Sequence, residues 1–297
     1  MTPILGHVGG GTLEPLQLLG VAAVAYAYGR RTRTLAGEGR PVPAWRVACF
    51  AGGVVLIVAG LASPLAHMGE ELLLAHMAQH LLVGDIAALL IVLGVTGPLL
   101  QPLLAIRAID RLRILAHPLV ALPLWAASLY VWHLPALYQA ALTSEPVHAL
   151  QHACFIGFGI LMWMPLVGPL PVPKWFGIGP KIGYVIAVRF AGTVLGNVFM
   201  WSGTAFYPDY GPGEADFGIS PLSDQGTAGV IMTIEGGLVT LGVMAWLFLR
   251  WAQQDTERQE LVELAEERGV PLSDARAERA VSAGQGGRLA EKIKEAS

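Results

Sequence analysis

Seven stretches of this chain are apolar enough to lie in the hydrocarbon core of a bilayer, and that limits the fold more than any motif. A helical crossing takes about 20 residues, and the stretches fall near residues 13–29, 45–62, 71–95, 118–132, 148–167, 182–201 and 226–251. The first and fourth are short. With no water in lipid to satisfy backbone groups, each crossing has to satisfy its own, and a helix does so. Composition agrees: charged residues make up 14% of the chain, against about 25% in soluble domains. The expected fold is all-α, a polytopic membrane helix bundle of seven transmembrane helices.

Basic residues give this bundle a direction. Arg30, Arg31, Arg33, Arg40 and Arg46 flank the first connection, Arg107, Arg111 and Arg113 the third, and Lys174 and Lys181 the fifth. The rest, apart from Arg189 within the sixth stretch, run from Arg250 to Lys294. Even-numbered connections carry none; they carry Glu70, Glu145, Asp209, Glu214, Asp216 and Asp224. The positive-inside rule therefore predicts an N-terminus outside and a C-terminus in the cytoplasm. Two regions follow: residues 1–251 as the transmembrane domain and 252–297 as a charged cytoplasmic tail. The tail is expected to form one or two solvated helices, broken near residues 269–271. The first stretch lacks a basic leader and reads as a span rather than a cleaved signal. Cys49 and Cys154 offer no disulfide framework. Nothing calls for a nucleic-acid partner; the expected surroundings are a lipid bilayer.

Histidines gather at the predicted outer ends. His76 and His80 form one i, i+4 pair and His148 and His152 another, so each pair projects from one helix face, the spacing that lets a helix chelate a transition metal. His133 closes the fourth stretch, and His7 and His67 lie at the same level. His117, beside Pro118, reads as a helix-start residue on the inner side. Met68, Met77, Met200 and Met232 add thioethers in the outer halves. Histidine with methionine suits copper, Cu(I) above all, and the histidines alone would also accept zinc. At about 100° per residue, Asp85 lies roughly 180° around the helix from His76 and Cys154 roughly 200° from His152, which removes both from the paired faces. Gln79 and Gln151 sit beside the pairs as candidates to orient the imidazoles. Asp85, Arg189 and Glu235 are ionisable residues inside apolar stretches and should face inward with partners. Asp85 with Arg189 is the expected pair, and Glu235, placed nearer the histidines, a carboxylate or proton carrier for them.

The run Leu61-Ala62-Ser63-Pro64-Leu65, the element His76-Met77-Ala78-Gln79-His80, Trp132-His133, the His148/His152 pair and Asp224-Gln225 with Ala228-Gly229 and Met232 resemble the seven-span CtaG-type cytochrome c oxidase assembly factors of bacteria. The resemblance spans roughly residues 45–249. It implies a multi-pass protein of the bacterial cell (inner) membrane that supports copper insertion into a haem–copper oxidase, with an oxidase subunit or another copper chaperone as partner. It also makes His76, His80, His133, His148 and His152, together with Met77, candidate copper ligands. Asp85–Ala88 and Glu235 depart from that pattern.

The leading expectation is thus a non-enzymatic assembly factor handling copper. A membrane zinc hydrolase is the alternative, with Glu70, Glu71, Glu145, Asp224 or Glu235 as base, although no His-Glu-x-x-His element is present. A haem-binding membrane cytochrome is a third, weakened because the inner level offers only His117.

Overall fold

The computed structural model describes residues 15–282 and 284–295. Among these residues every regular element is helical. The chain begins with α1 (Pro15–Gly37) and α2 (Ala44–Ala62), followed by the short α3 (Pro64–Glu71). Next, α4 (Leu73–Leu81) runs through a π-helical turn (Leu82–Ile86) into α5 (Ala87–Gly94). Three short pieces follow: α6 (Gly97–Leu104), α7 (Arg107–Leu112) and a 3₁₀ turn (Arg113–Ala116). After them come α8 (Pro118–Trp132), α9 (Pro135–Thr143), α10 (Glu145–Val167) and α11 (Ile178–Trp201). The chain closes with α12 (Gly211–Phe217), the long α13 (Pro221–Glu267), α14 (Asp274–Ser282) and α15 (Gly286–Glu295).

Among the described residues, five helical units are long and apolar enough to cross a bilayer: α2, the unit Leu73–Gly94, α10, α11 and α13. A sixth arises if Arg107–Ala116 and Pro118–Trp132, bent 77° to one another, count as one broken span. The bend explains the shortness read in the fourth stretch: α8 has 15 residues, or about 22 Å at 1.5 Å per residue, less than a hydrocarbon core of about 30 Å. The first stretch is helical from Pro15, but its helix carries Arg30, Arg31 and Arg33 before ending at Gly37. Large apolar side chains on the flanks, among them Val55, Phe190, Leu238, Leu241 and Phe248, are exposed. Together with the apolar helices they describe a membrane protein, whose outward face is solvated by acyl chains.

Helix starts follow local chemistry. Ser63 Oγ accepts the Leu65 N–H, with Pro64 at the first helical position of α3. His117 Nδ1 accepts the Leu119 N–H and caps α8, the role its place beside a proline predicts. Inside the bundle small residues let backbones approach. A Cβ on Gly159 of α10 would meet the Gly84 carbonyl group in the π turn, and one on Gly196 of α11 would lie 3.0 Å from the Gly229 carbonyl oxygen of α13. These contacts set how closely α10 crosses the α4–α5 unit and how closely α11 crosses α13.

The tail differs from expectation. α13 runs without a break past residue 251 to Glu267, and the chain then turns through Gly269 (φ 63°). α14 and α15 fold back against it, burying Leu261, Ala265, Ala277, Val281 and Ile293 in a small core. Arg258 of α13 binds Asp255 and Asp274. The break falls where the sequence put it, but the helices around it are packed, not merely solvated.

Candidate metal centre

α4 and α10 face each other across the bundle with their histidine pairs in contact. The His76 and His80 ring centroids are 4.1 Å apart, and those of His148 and His152 4.3 Å. Between helices, His76 and His148 are 5.5 Å apart and His80 and His152 5.3 Å. Nitrogen atoms of His76, His80 and His148 all lie within 4.8 Å of one another. His76, His80 and His152 are buried and His148 is half-buried.

Backbone carbonyls, not the glutamines, fix the tautomers. His76 Nδ1 lies 3.1 Å from the Gly69 carbonyl oxygen. A carbonyl only accepts, so Nδ1 carries the proton and Nε2 presents a lone pair. That Nε2 is buried with no hydrogen-bond partner among the described residues, as are both nitrogens of His80. Buried polar atoms are seldom left so, and imidazoles with unused lone pairs pointing into one small volume fit a bound transition metal. Gln79, by contrast, donates to the Gly60 carbonyl and ties α4 to α2. No hydrogen bond joins Gln79 or Gln151 to an imidazole among the described residues.

His133 and Met77 form a second donor pair. His133 Nδ1 lies 2.6 Å from the Leu129 carbonyl oxygen and therefore donates to it, while Nε2 stands 3.4 Å from Met77 Sδ. A lone pair thus faces a thioether with no proton between them, an arrangement relieved by a soft cation. Phe155 packs against both His80 (4.4 Å) and His133 (5.8 Å), so the two donor groups share a wall. Met77 follows His76 in sequence but is rotated about 100° from it; this is why it meets His133 and not the paired imidazoles.

Three tyrosines not singled out from sequence complete the site. Tyr138 and Tyr210 hydroxyls are 2.9 Å apart, Tyr210 donates to the Gly69 carbonyl that also binds His76, and Tyr207 donates to the His133 carbonyl. Burial pushes all three phenols above their ordinary range, so they stay protonated and act as donors. Asp224, buried at the start of α13, accepts the Leu73 N–H (2.7 Å) and the Leu74 N–H (2.9 Å). These are free donors at the first turn of α4, so α13 caps the helix that carries His76. Its neighbour Gln225 accepts from Phe206 N–H and donates to the Thr204 carbonyl. The Asp224-Gln225 pair is a fastener.

The other acids are also placed. His67 lies within 3.8 Å of Glu70 and 3.6 Å of Glu71, away from the imidazole group. Asp85 does not pair with Arg189. Its Oδ1 accepts the Trp163 indole N–H at 2.8 Å, and its carboxyl is hydrogen-bonded to that of Glu235. Glu235 thus faces Asp85 and not the histidines. Cys49 and Cys154 are free thiols, and His7 lies outside the described residues.

The chain is thus a membrane helical protein that gathers imidazoles and a thioether between its helices. Residues 24–254 match the cytochrome c oxidase caa3 assembly factor family (Caa3_CtaG), and the chain belongs to that family. No curated protein and no solved structure gave a significant match.

Proposed function

We propose that this assembly factor binds copper at the His76/His80/His148/His152 group and at His133/Met77, and supports its insertion into a haem–copper oxidase. The observation that carries the reading is the set of buried imidazole nitrogens: among the described residues His76 Nε2 and the His80 nitrogens have no hydrogen-bond partner, and His133 Nε2 faces a sulfur. One group offers nitrogen and the other nitrogen with sulfur, so a cuprous ion has acceptable donors in both and can move between them by ligand exchange. In this reading the chain crosses the bacterial inner membrane seven times, with α1 as the first span, the N-terminus outside and the C-terminus in the cytoplasm. The donors then face the outer compartment, and the partner is an oxidase subunit or another copper chaperone.

The placement of acids supports transfer over hydrolysis. A zinc hydrolase needs a carboxylate free to take a proton from metal-bound water. Asp224 has both oxygens on backbone N–H groups, Glu235 lies against Asp85, Glu70 and Glu71 lie beside His67, and Glu145 is exposed at the start of α10. Metal analysis of the purified wild type beside the His76→Ala/His80→Ala and His148→Ala/His152→Ala variants tests the reading. Copper should accompany the wild type and fall in both variants, with less copper in the oxidase of cells carrying them. Zinc in place of copper, haem bands in an optical spectrum, or normal oxidase copper in both variants would overturn it.

A further inference from the structure

At the π turn that follows His80, the bundle holds a cavity of about 70 Å³. Asp85, Arg189 and Glu235 line it, and they are its only ionisable residues among those described, although α8, α10, α11 and α13 all contribute to the wall. The two carboxyls are hydrogen-bonded to each other. Two carboxylates have only acceptor oxygens, so such a bond exists only when a proton sits on one of them. Trp163 donates to Asp85 Oδ1, while Glu235 Oε1 is buried without a hydrogen-bond partner among the described residues. The Arg189 guanidinium lies along α13 beside Glu235, where a Cβ on Gly236 would be 2.7 Å from its Nη1.

Charge accounting then fixes the occupancy. Two ionised carboxylates and one guanidinium carry a net −1, which is costly at membrane depth. Two neutral acids leave Arg189 uncompensated. One proton makes the group neutral. We propose that Asp85 and Glu235 form a proton-binding site that holds a single shared proton beside Arg189 and exchanges it through the cavity, which has room for water. A metal cation is the wrong occupant, because the guanidinium already supplies the positive charge. Loss of the proton would place a net negative charge just beyond His80, the sign that favours a cation on the imidazoles. That coupling rests on the copper reading; the proton site does not.

Infrared difference spectroscopy of the wild-type protein in nanodiscs, without added metal, tests the site. At neutral pH the spectrum should contain the carbonyl band of one protonated carboxylic acid, shifting on exchange into D₂O. Asp85→Asn and Glu235→Gln should each abolish it, since the surviving carboxylate is neutralised by Arg189. Arg189→Gln should keep the band and carry it to higher pH. Absence of the band in the wild type, or its survival in both single-carboxyl variants, would overturn the proposal whether or not the histidines bind copper.

Discussion

Replacing Gly159 by alanine tests whether the crossing of α10 over the π turn sets the distance between the two histidine helices. The added carbon would fall inside the contact shell of the Gly84 carbonyl oxygen, 3.0 Å from the carbonyl carbon and 3.2 Å from Ala88 Cβ, where ordinary contact begins at 3.4 Å. Both opposing groups belong to helix backbone or to a short rigid side chain, so α10 has to retreat by on the order of 1 Å, at a stability cost of about 1–3 kcal/mol for overpacking. The three imidazole donors now lie within 4.8 Å of one another. One ion spans two nitrogens only to about 4.2 Å, twice a metal–nitrogen bond, so small side-chain adjustments close the present gap. A retreat of about 1 Å leaves a gap near 6 Å that they cannot close. Cu(I) or Ag(I) affinity, measured by competition with a chelator, should fall by about tenfold or more, equivalent to ~1.4 kcal/mol. Gly157→Ala is the control, because a Cβ there meets nothing within 4 Å on the same helix. Equal metal affinities and equal melting behaviour in the two variants would refute the reasoning.

Two further outcomes follow from the anchoring residues. Asp224→Ala removes the acceptor of two short bonds to Leu73 and Leu74; with buried bonds to charged groups contributing about 1.5–3 kcal/mol each, chemical unfolding in detergent should show a loss of about 3 kcal/mol or more, and a loss under ~0.5 kcal/mol would contradict the cap. Glu214, in the α12 connection, has its carboxyl pushed up by burial and then by the Asp224 carboxylate. A raised native value means that its contribution to stability is present below its unfolded value of about 4.3 and is lost as pH rises through the native one. Glu214→Gln should therefore raise the melting temperature at neutral pH and leave it unchanged in acid, and thermal scans at both pH values would expose the opposite sign.

The long helices were legible because a helical crossing demands an apolar run of known length, within which the helix satisfies its own backbone. The two histidine pairs were legible for a similar reason: i, i+4 spacing fixes a shared face, and α4 and α10 bring those faces together. What failed depended on rotation between helices. Leu82–Ile86 reads as ordinary helix, yet it forms a π turn that changes the register beyond His80, and the expected Asp85–Arg189 pair gives way to Asp85 with Glu235 and Trp163. The groups that orient His76 and His133 are carbonyls of Gly69 and Leu129; a carbonyl occurs at every position and leaves no signature. The tail did carry a signal. Leu261 with Ala265 and Ala277 with Val281 repeat at i, i+4, the spacing of a buried stripe, and they form its core.

The division of labour among the acids bears on how the proposed copper site would hold a metal without trapping it. Histidine ligands donate their other ring N–H to a carboxylate, a backbone carbonyl or water, and a charged acceptor strengthens the ligand more than a neutral one does. Here the tautomers of His76 and His133 are set by neutral carbonyls, with Tyr210 and Tyr207 as further neutral partners of the same backbone segments. Asp224 acts on the backbone of α4 instead: it fixes where the helix begins, and so where His76 and His80 stand, while adding no bond to either ring. Position is therefore specified by a buried charge on α13, and ligand strength is left to uncharged groups. A donor set held firmly in place but strengthened less than carboxylate partners would strengthen it favours exchange with an incoming ligand over permanent retention, which is the property that the proposed supply of a metal to another protein requires.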